Sequence, residues 1–461
     1  MSSVLGVLVT VFWGVLVLSL LVFVHEGGHY LAARACRVRA TEFFLGLPCR
    51  LKLSRKSAKV GTEFGVTPLL LGGYTRICGM EGTEDPLLAP ALDLVMRRGR
   101  VRAQEVADEL GVDLDRAYEL LVTLSDWAAI RPFYDPALGE GPSQSTYPAA
   151  FETVRRDAAL LTEYDRGHDF ATGGTTEAGL PRETALSPEA FLDHERSRTY
   201  LGVGFLRRCA MLLAGPLVNV LLAFVIVTCA LMVRGVDYVS NVNVLGSVTE
   251  GSLAERSGLE AGDVLTSVDG SEVSTWTEIV EALKGPLSEG RDFEITYERD
   301  GAAHAVVIDL PDGEPTELLG VNATVATYHP TLPEATSVTF DYVGQVAGAV
   351  AQLLQPQHTM EVLDQSSSVV GIAVMTSEAA SSGAYDLAVI VAAISMSLGF
   401  MNLLPIPPFD GGKILIELVQ LVIRRPLPQR AVVAVSYVGM AFILFVFVVV
   451  LRNDVVRFVF G

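Results

Sequence analysis

The sequence predicts a polytopic α-helical membrane protein with four transmembrane helices and a folded region on each side of the membrane. Half of its 461 residues are hydrophobic, a fraction above that of ordinary soluble domains. Four apolar stretches without charged side chains are each long enough for a helix to cross a bilayer, which takes about 20 residues. These stretches are roughly 4–24, 209–233, 387–409 and 431–451.

The charge and the cysteine spacing argue against two common kinds of protein, those that bind nucleic acids and those held together by cysteine frameworks. The formal net charge is −19, which argues against a nucleic-acid partner because phosphate backbones attract basic surfaces. The cysteine spacings fit no zinc or disulfide framework. We therefore expect free thiols at Cys36, Cys49, Cys78, Cys209 and Cys229.

The positions of the basic residues predict the orientation of the spans. No Lys or Arg precedes Arg34, so the first apolar stretch lacks the basic start of a signal peptide, and we expect a retained span. Basic residues cluster after the first span, before the second, and between the third and fourth. Since cytoplasmic loops carry an excess of Lys and Arg, both termini and residues 234–385 are predicted to lie outside the cytoplasm.

The first span contains the motif His25-Glu26-Gly27-Gly28-His29, which brings ionisable groups to a depth where they are energetically expensive. In a helix, positions 25 and 29 share a face, about 6 Å apart along the axis. Two such imidazoles can bind one zinc ion, with Glu26 beside the metal as a general base. The alternative is a chance match to a short motif, which the cost of burying these groups disfavours.

A hydrolytic zinc site also needs a third protein ligand and an open position for water. The third apolar stretch ends at Asp410, directly before two glycines, and three prolines between 405 and 408 break the helix ahead of it. Broken backbone at membrane depth is tolerated where it lines a cavity or packs on protein. Asp410 is therefore the candidate third ligand; the alternative is an aspartate at a helix end in contact with water.

Together these motifs resemble the site-2 protease family of intramembrane zinc metalloproteases. The resemblance extends to GTEFGVTPLLLGGY at 61–74, AGPLVN at 214–219, VVGIA at 369–373 and NLLPIPPFDG at 402–411. Phe409 and Val370 depart mildly from the family pattern. The arrangement with an outer domain is most similar to the bacterial regulator-of-sigma-E protease type.

The resemblance implies roles for particular residues. It implies a Zn²⁺ ion held by His25, His29 and Asp410, with Glu26 as general base, and it implies that Asn402 holds substrate near the metal. Further candidate substrate contacts are Gly72 and Gly73 of the β region and the unwound backbone at Pro405 and Pro407.

Two regions outside the spans have predicted folds. Residues 41–83 are expected to form a membrane-associated β-hairpin or sheet that presents extended substrate to the zinc; the alternative is a plain cytoplasmic hairpin. Residues 238–328 are predicted as one extracytoplasmic PDZ domain, because Gly-Leu-x-x-Gly-Asp-x-Leu at 258–265 precedes a Val-Asp-Gly turn and a helix at 275–284. A PDZ domain can bind a peptide terminus, exclude bulky substrates, or act as a rigid spacer.

The family resemblance does not explain residues 84–200, which we predict to be a cytoplasmic insert. Apolar positions recur at helical spacing over about 87–135, with Gly111 between two helices, which predicts a winged-helix-like part. DNA binding is one hypothesis, but the acidic residues between 113 and 126 outnumber Arg116 and repel phosphate. A structural role or a cytoplasmic protein partner is favoured.

The remaining boundaries follow from the spans and from composition. We predict the first transmembrane helix with the zinc motif at 1–40, the second at 201–235, the third with its NLLPIPPFDGG motif at 386–424 and the fourth at 430–452. Residues 135–148 and 167–190 are rich in Gly, Pro, Ser and Thr and are predicted linkers within the insert. Residues 337–385 are predicted to be an amphipathic extracytoplasmic segment along the outer membrane surface.

The expected function is that of a zinc-dependent intramembrane endopeptidase in the bacterial cytoplasmic membrane. By resemblance, its substrates are single-span membrane proteins whose outer domain another protease has already trimmed, such as an anti-sigma factor or remnant signal peptides. Cleavage within the lipid bilayer would then be a step of regulated intramembrane proteolysis. Two alternatives remain at this point: a catalytically silent protein that binds others through its PDZ domain, and a transporter whose buried polar residues line an ion path.

Overall fold

The computed structural model describes residues 2–70, 72–80, 85–141, 144, 146–310, 316, 318–355, 357–425 and 427–456. Within these residues, four helices are long and apolar enough to cross a membrane, as the sequence predicts. The described helices are α1 (Ser2–Ala35), α2 (Leu88–Arg98), α3 (Ala103–Leu110), α4 (Leu114–Asp126), α5 (Pro188–Arg196), α6 (Phe205–Arg234), α7 (Leu253–Arg256), α8 (Trp276–Glu289), α9 (Leu332–Gln352), α10 (Thr359–Gln365), α11 (Val369–Ser382), α12 (Ala384–Asn402), α13 (Asp410–Ile423) and α14 (Gln429–Val455).

The strands belong to separate small sheets, and the chain divides into two compact units, Met1–Val227 with Thr339–Gly461, and Thr228–Val338. The strands are β1 (Ala40–Leu45), β2 (Leu53–Lys56), β3 (Glu63–Val66), β4 (Gly73–Ile77), β5 (Arg100–Arg102), β6 (Ile130–Phe133), β7 (Ala150–Thr153), β8 (Val236–Val239), β9 (Leu245–Val248), β10 (Val264–Val268), β11 (Ser271–Glu272), β12 (Phe293–Arg299), β13 (Ala302–Ile308), β14 (Val321–Ala323) and β15 (Val325–Tyr328).

Two of the spans differ in extent from their predicted apolar stretches. The helix α1 runs to Ala35 and so carries the whole HEGGH motif on helical backbone, although its charge-free stretch ends at residue 24. The helix α12 ends at Asn402, whereas the apolar stretch continues to 409. Residues 403–409 leave the helical path and α13 begins at Asp410, because the prolines there cannot continue a helix.

A four-stranded mixed sheet in the order β2-β3-β1-β4 follows α1. Strand β1 runs parallel to β3 and antiparallel to β4, with Phe43 opposite Thr75. Strand β4 is at one edge of this sheet, and it packs against α1 through the hydrogen bond from Thr75 Oγ1 to the Glu26 carbonyl oxygen, 3.0 Å long. One edge of the sheet therefore lies beside the HEGGH motif.

The insert alternates helices and strands in the order α2, β5, α3, α4, β6, β7. Its three strands form an antiparallel sheet in the order β5-β7-β6. Leu92, Leu121, Leu124 and Phe151 are fully buried in a single core that joins the helices to this sheet. The amphipathic spacing that predicts the helices thus reflects one shared apolar face.

The folded part of the insert extends beyond its predicted end near residue 135. Strand β7 is the central strand of the sheet and begins at Ala150. The predicted linker is also bonded to the core, since Gly179 N donates to the Thr153 carbonyl and Arg182 N donates to the Met96 carbonyl. A four-residue strand and isolated backbone bonds leave no periodic pattern in the sequence, so composition alone suggested a linker.

A buried ion-pair network ties the insert to the end of α1. Arg39 is fully buried and donates to both carboxylate oxygens of Asp165, at 2.7 and 2.8 Å, and to Glu195 at 2.8 Å. Arg156 donates to the other oxygen of Glu195, also at 2.8 Å. Burial alone raises the pKa of a carboxyl group, but the guanidinium groups of Arg156 and Arg39 lower the pKa of Glu195 well below its usual value.

The unit Thr228–Val338 contains its own apolar core. A sheet in the order β11-β10-β12-β13 packs on α8, and the pairs β9–β14 and β8–β15 complete the strands. Leu265, Ile279, Ile295 and Ile308 have no exposed side-chain surface within this core. The helix α8 begins with a capping box between Thr275 and Glu278, which satisfies its first backbone N–H groups.

Within residues 337–385, which are predicted to lie along the outer membrane surface, helix α11 packs inside the helical bundle. Helix α11 packs against α1 so closely that a β-carbon on Gly14 would overlap Ala373. Its first backbone N–H groups, those of Ser368 and Gly371, donate to the Asp454 carboxylate of α14 at 2.6 and 3.2 Å. Because α11 is apolar on most of its circumference, it packs between spanning helices rather than on a surface.

We predict that Glu195→Gln destabilises the insert by about 3 to 5 kcal/mol, because it leaves the buried guanidinium group of Arg156 without its counter-charge and removes one of the two carboxylates that pair with Arg39. Glu177→Gln is the control: this residue pairs with Arg155 at the surface, and its loss is expected to cost no more than about 1 kcal/mol. Urea titration followed by limited proteolysis of the insert measures both changes.

The same network predicts a pH dependence. The pKa of Glu195 is lower in the folded state than in the unfolded state. Its contribution to the free energy of unfolding is therefore fully present above the usual pKa of 4.5 and is lost as the pH falls through the folded-state pKa. As the pH falls, the difference in the free energy of unfolding between wild type and Glu195→Gln should therefore become smaller. A difference that stays constant down to the pH of acid unfolding would contradict this assignment.

Candidate metal centre

The two histidines of the HEGGH motif lie one helical turn apart on α1 and face the same point. Their Nε2 atoms are 3.1 Å apart, and the two residues are only 6 and 8 % exposed. The ring planes are nearly perpendicular, at 80°. The helical spacing thus gives two ring nitrogens that converge on one position.

Asp410 supplies the third converging atom from the opposite end of the chain. It is the first residue of α13, and its Oδ2 lies 3.2 Å from His25 Nε2 and 3.1 Å from His29 Nε2. The non-helical residues 403–409 turn the chain between α12 and α13 and so carry Asp410 into the bundle. His25, His29 and Asp410 are all buried and form a group with the composition of a metal site.

This donor set fits a zinc ion. Ligand atoms 2.0–2.2 Å from a tetrahedral zinc are about 3.3 Å from one another, close to the spacing found here. His29 Nδ1 lies 2.8 Å from the Met211 carbonyl oxygen and must carry a proton to bond it, which leaves Nε2 of the neutral ring as a bare acceptor. Acceptor atoms that face one another in an apolar bundle are stabilised by a cation between them.

The position of His29 depends on a close approach between α1 and α6. A β-carbon on Gly28 would overlap the carbonyl group of Ala214, and one on Gly215 would overlap the imidazole ring of His29. Residues with side chains at these positions would push the helices apart. The glycines therefore allow the Met211 carbonyl of α6 to reach the ring of His29.

Asn219 of α6 orients the other histidine. Its side-chain nitrogen lies 3.5 Å from His25 Nδ1, while its Oδ1 is buried and has no hydrogen-bond partner among the described residues. The unpaired Oδ1 favours the amide orientation in which oxygen and nitrogen are exchanged, so that Oδ1 accepts a proton from His25 Nδ1. His25 Nε2 is then free to bind a metal.

A cavity of about 290 Å³ opens beside the three converging atoms. Glu26 lines it next to the histidines, and Lys413 lines it with Nζ 3.7 Å from Asp410 Oδ1. Its remaining walls come from β4 and the residues after it, from α6 and the segment before it, and from the end of α12 and the loop that follows: Tyr74, Thr75, Ile77, Met80, Tyr200, Met211, Leu212, Asn402 and Pro408. A carboxylate, a metal position and an open space for substrate thus share one site.

The predicted substrate contacts divide into two groups. Asn402 lines the cavity and donates through Nδ2 to the Leu398 carbonyl at 2.9 Å, and Gly73 lies beside Glu26, with its β-position 3.7 Å from Glu26 Cγ. Gly72, Pro405 and Pro407 do not line it. The carbonyl oxygen of Gly72 accepts from Gly46 N just after β1, Pro407 is buried with its carbonyl against Gly439, and Pro405 is exposed on the loop, so their roles as substrate contacts stay predictions.

Residues that the motif analysis missed come from elements distant in sequence. Asn219 lies in the AGPLVN stretch, whose polar residue in an apolar span was the available signal. Thr75, Tyr200 and Lys413 lie in stretches with no local pattern that points to a site. Their positions result from tertiary packing around α1.

Comparison with known proteins agrees with this geometry. The family model of peptidase family M50 matches residues 13–446. The chain belongs to peptidase family M50, the site-2 proteases. This site-2 protease is a zinc metalloprotease with Zn²⁺ as its cofactor, which confirms the predicted family, enzyme class and metal.

Several bacterial relatives match almost the whole chain. The zinc metalloprotease RasP of Geobacillus kaustophilus is 27% identical over 96% of this chain and 97% of its own. The regulator of sigma-W protease RasP of Bacillus subtilis is 25% identical over 97% of this chain and 98% of its own. The probable protease eep of Enterococcus faecalis is 24% identical over 98% of this chain and 100% of its own.

We predict that Asn219→Leu lowers the zinc affinity of the protease by about 10- to 100-fold, because it removes the acceptor that orients His25. Asn219→Asp keeps an oxygen at the same place and should retain most of the affinity. Competition with a graded series of chelators measures zinc binding without any need for cleavage. Equal affinity in the Leu variant and wild type would show that His25 is oriented by other contacts.

Proposed function

We propose that this protease cleaves transmembrane segments of single-span membrane proteins inside the bilayer. The observation that carries the proposal is the position of the site: His25 and His29 lie on α1, an apolar helix of spanning length, and their ring nitrogens converge with Asp410, at the start of α13, beside a cavity and a sheet edge. A protease with soluble substrates has no need to place its site there. The buried polar groups are expensive at that depth and are expected to serve chemistry.

His25, His29 and Asp410 are the proposed zinc ligands. Zinc, when bound, lowers the pKa of a coordinated water to about 7 and polarises the scissile carbonyl. Glu26 lines the same cavity and is placed to take the proton from the attacking water and to deliver it to the leaving amine nitrogen. Asn402 also lines the cavity and is proposed to hold the substrate backbone beside the metal.

The free edge of β4 is the proposed docking site for unwound substrate. Gly46 N donates to the Gly72 carbonyl, so residue 72 and the alternate residues after it face β1. The backbone groups of Gly73, Thr75 and Ile77 then point away from the sheet, and Thr75 and Ile77 line the cavity. An extended peptide that adds to this edge runs past Glu26.

The unit Thr228–Val338 has features that support a PDZ assignment. Its helix α8 begins at Trp276, where a helix is predicted after the Val-Asp-Gly turn, and it packs on a small antiparallel sheet. We propose that it lies outside the cytoplasm, with both chain termini, and excludes substrates whose outer domain has not been trimmed.

The insert has the element order of a winged helix, three helices with a three-stranded antiparallel sheet. Asp113, Asp115 and Glu119 on and before α4 disfavour a nucleic-acid partner, because that helix would face phosphate groups. We propose a cytoplasmic protein partner or a structural role for it.

The proposed substrates are anti-sigma factors or remnant signal peptides. The Bacillus subtilis relative is named a regulator of sigma-W protease, which supports the first class. The bilayer is then the medium in which the site works, and the cytoplasmic membrane is its proposed location.

We predict that Glu26→Gln abolishes cleavage of a single-span model substrate with a short outer tail, lowering the rate at least about a hundred-fold, while zinc content is unchanged. His25→Ala should lose both zinc and activity. Wild type, both variants and a chelator-treated sample are assayed in liposomes, and zinc added back to the chelated sample should restore cleavage.

Two outcomes of this assay would contradict the proposal. Equal cleavage by Glu26→Gln would show that another group is the base. A zinc-loaded wild type that binds but does not cleave several single-span substrates would favour a membrane binding protein that acts through its outer unit.

We also predict that Thr75→Pro lowers cleavage of the same substrate at least about tenfold, because it removes an outward-facing N–H from the edge of β4. Proline is tolerated on an edge strand when its nitrogen faces away from the sheet. Thr75→Val is the matched control, since it keeps the N–H and loses only the hydroxyl bond to the Glu26 carbonyl. Zinc retained in both variants would show that the metal centre is intact. Equal cleavage rates of the two variants would exclude strand addition of the substrate at this residue.

A further inference from the structure

A second cavity, of about 370 Å³, lies at the end of α1 and outside the metal centre. Three parts of the chain form its walls: the last turns of α1, the loop between β2 and β3, and the insert. Its lining residues are Tyr30, Leu31, Arg34, Lys59, Val60, Arg166 and Gly167. We call it the basic cavity, because three of these residues are cationic and none is acidic.

The cations of the basic cavity have no carboxylate partner among the described residues. Arg34 donates to the carbonyl oxygen of Tyr164, and Lys59 and Arg166 have exposed side chains without an ion pair in that part of the chain. The adjacent acidic residues are already engaged: Glu163 bonds to Lys56 at 2.6 Å and Asp165 to Arg39. In a chain with 53 acidic and 34 basic residues, three cations around one cavity, without an ion pair to any residue that the structure describes, create a local positive potential that favours an external anion.

The surroundings of the basic cavity indicate where that anion comes from. Leu31 is 66 % exposed on the apolar helix α1, and Arg34 lies in the last turn of the same helix. Val60 adds a second apolar wall. Apolar surface on a spanning helix and cations at its end are the combination that a lipid meets at the headgroup level of a membrane.

We propose that the basic cavity binds the phosphate group of an anionic phospholipid in the leaflet that faces the insert. Its phosphate oxygens would bond to Arg34, Lys59 and Arg166, and its acyl chains would lie along the exposed face of α1 near Leu31. Zwitterionic lipids carry a cation next to the phosphate, which the three basic side chains repel. The site therefore discriminates by net headgroup charge.

Binding there would link the lipid to the elements that position the metal centre. Tyr30 donates to Thr62 Oγ1 at 3.4 Å, and Thr62 Oγ1 donates to the Ala40 carbonyl at 2.7 Å, at the start of β1. Arg34 lies two turns after Glu26 on the same face of α1. A bound headgroup thus bridges α1, the sheet and the insert, and should raise the stability of the whole chain.

The test compares the full chain with Lys59→Gln/Arg166→Gln in neutral detergent micelles. Both replaced side chains are exposed, and Arg34 is kept because it also bonds to Tyr164. Arg50→Gln/Arg55→Gln is the control, with the same charge change at exposed cations away from the basic cavity. The unfolding temperature is followed while short-chain phosphatidylglycerol, short-chain phosphatidylcholine or inorganic phosphate is added.

Phosphatidylglycerol should raise the unfolding temperature of wild type and of the control variant at the same concentrations, and phosphatidylcholine should not. The Lys59→Gln/Arg166→Gln variant should need about 30-fold more phosphatidylglycerol. If all three proteins needed the same phosphatidylglycerol concentration for the same rise in unfolding temperature, the proposed site would be wrong. The same conclusion would follow if the two lipids raised the unfolding temperature equally. Stabilisation by inorganic phosphate but not by phosphatidylglycerol would overturn its assignment to a lipid.

Discussion

The convergence of three buried acceptor atoms in an apolar bundle is the constraint on which the rest of the structure depends. His25 and His29 meet Asp410 from the other end of the chain at 3.1–3.2 Å, and the ring proton of His29 is already committed to the Met211 carbonyl. Without a cation these atoms repel one another in a medium that cannot solvate them. A bound cation therefore stabilises the arrangement, while Gly28 and Gly215 allow α1 and α6 to approach closely enough to form it.

The features that can be predicted from the sequence are those that depend on residues close together in the chain. Two histidines four residues apart share a helix face in any α-helix, and an aspartate after a proline-broken apolar stretch stands out against its surroundings. The orientation of the His25 ring by Asn219 has no such signature, since it joins residues 194 positions apart. The sequence motifs therefore predict the residues whose atoms converge, His25, His29 and Asp410, but they do not predict that Asn219 contacts the ring of His25.

The same distinction explains the two regions where the predicted fold was incomplete. Strand β7 contains only the four residues Ala150–Thr153, which is too short for a periodic sequence pattern. It is the central strand of the sheet because it pairs with both β5 and β6, which come from other parts of the insert. The region that contains α11 is predicted on a surface because its stretches are taken to be amphipathic. The helix itself is apolar on most of its circumference and contacts α1 at Gly14, so it packs between the long apolar helices.

The proximity of the β4 edge to the metal centre follows from the energetics of the proposed reaction. A peptide bond in a transmembrane helix is hydrogen-bonded, and each bond broken in an apolar medium costs about 4 to 6 kcal/mol unless it is replaced. Unwinding several residues at the site is therefore prohibitive without a second set of donors and acceptors. In the proposed reaction, the outward-facing backbone of Gly73, Thr75 and Ile77 provides such a set, and Thr75 and Ile77 lie in the wall of the cavity beside the metal centre. If substrate helices are cleaved in lipid, this strand edge is as necessary to the reaction as the general base.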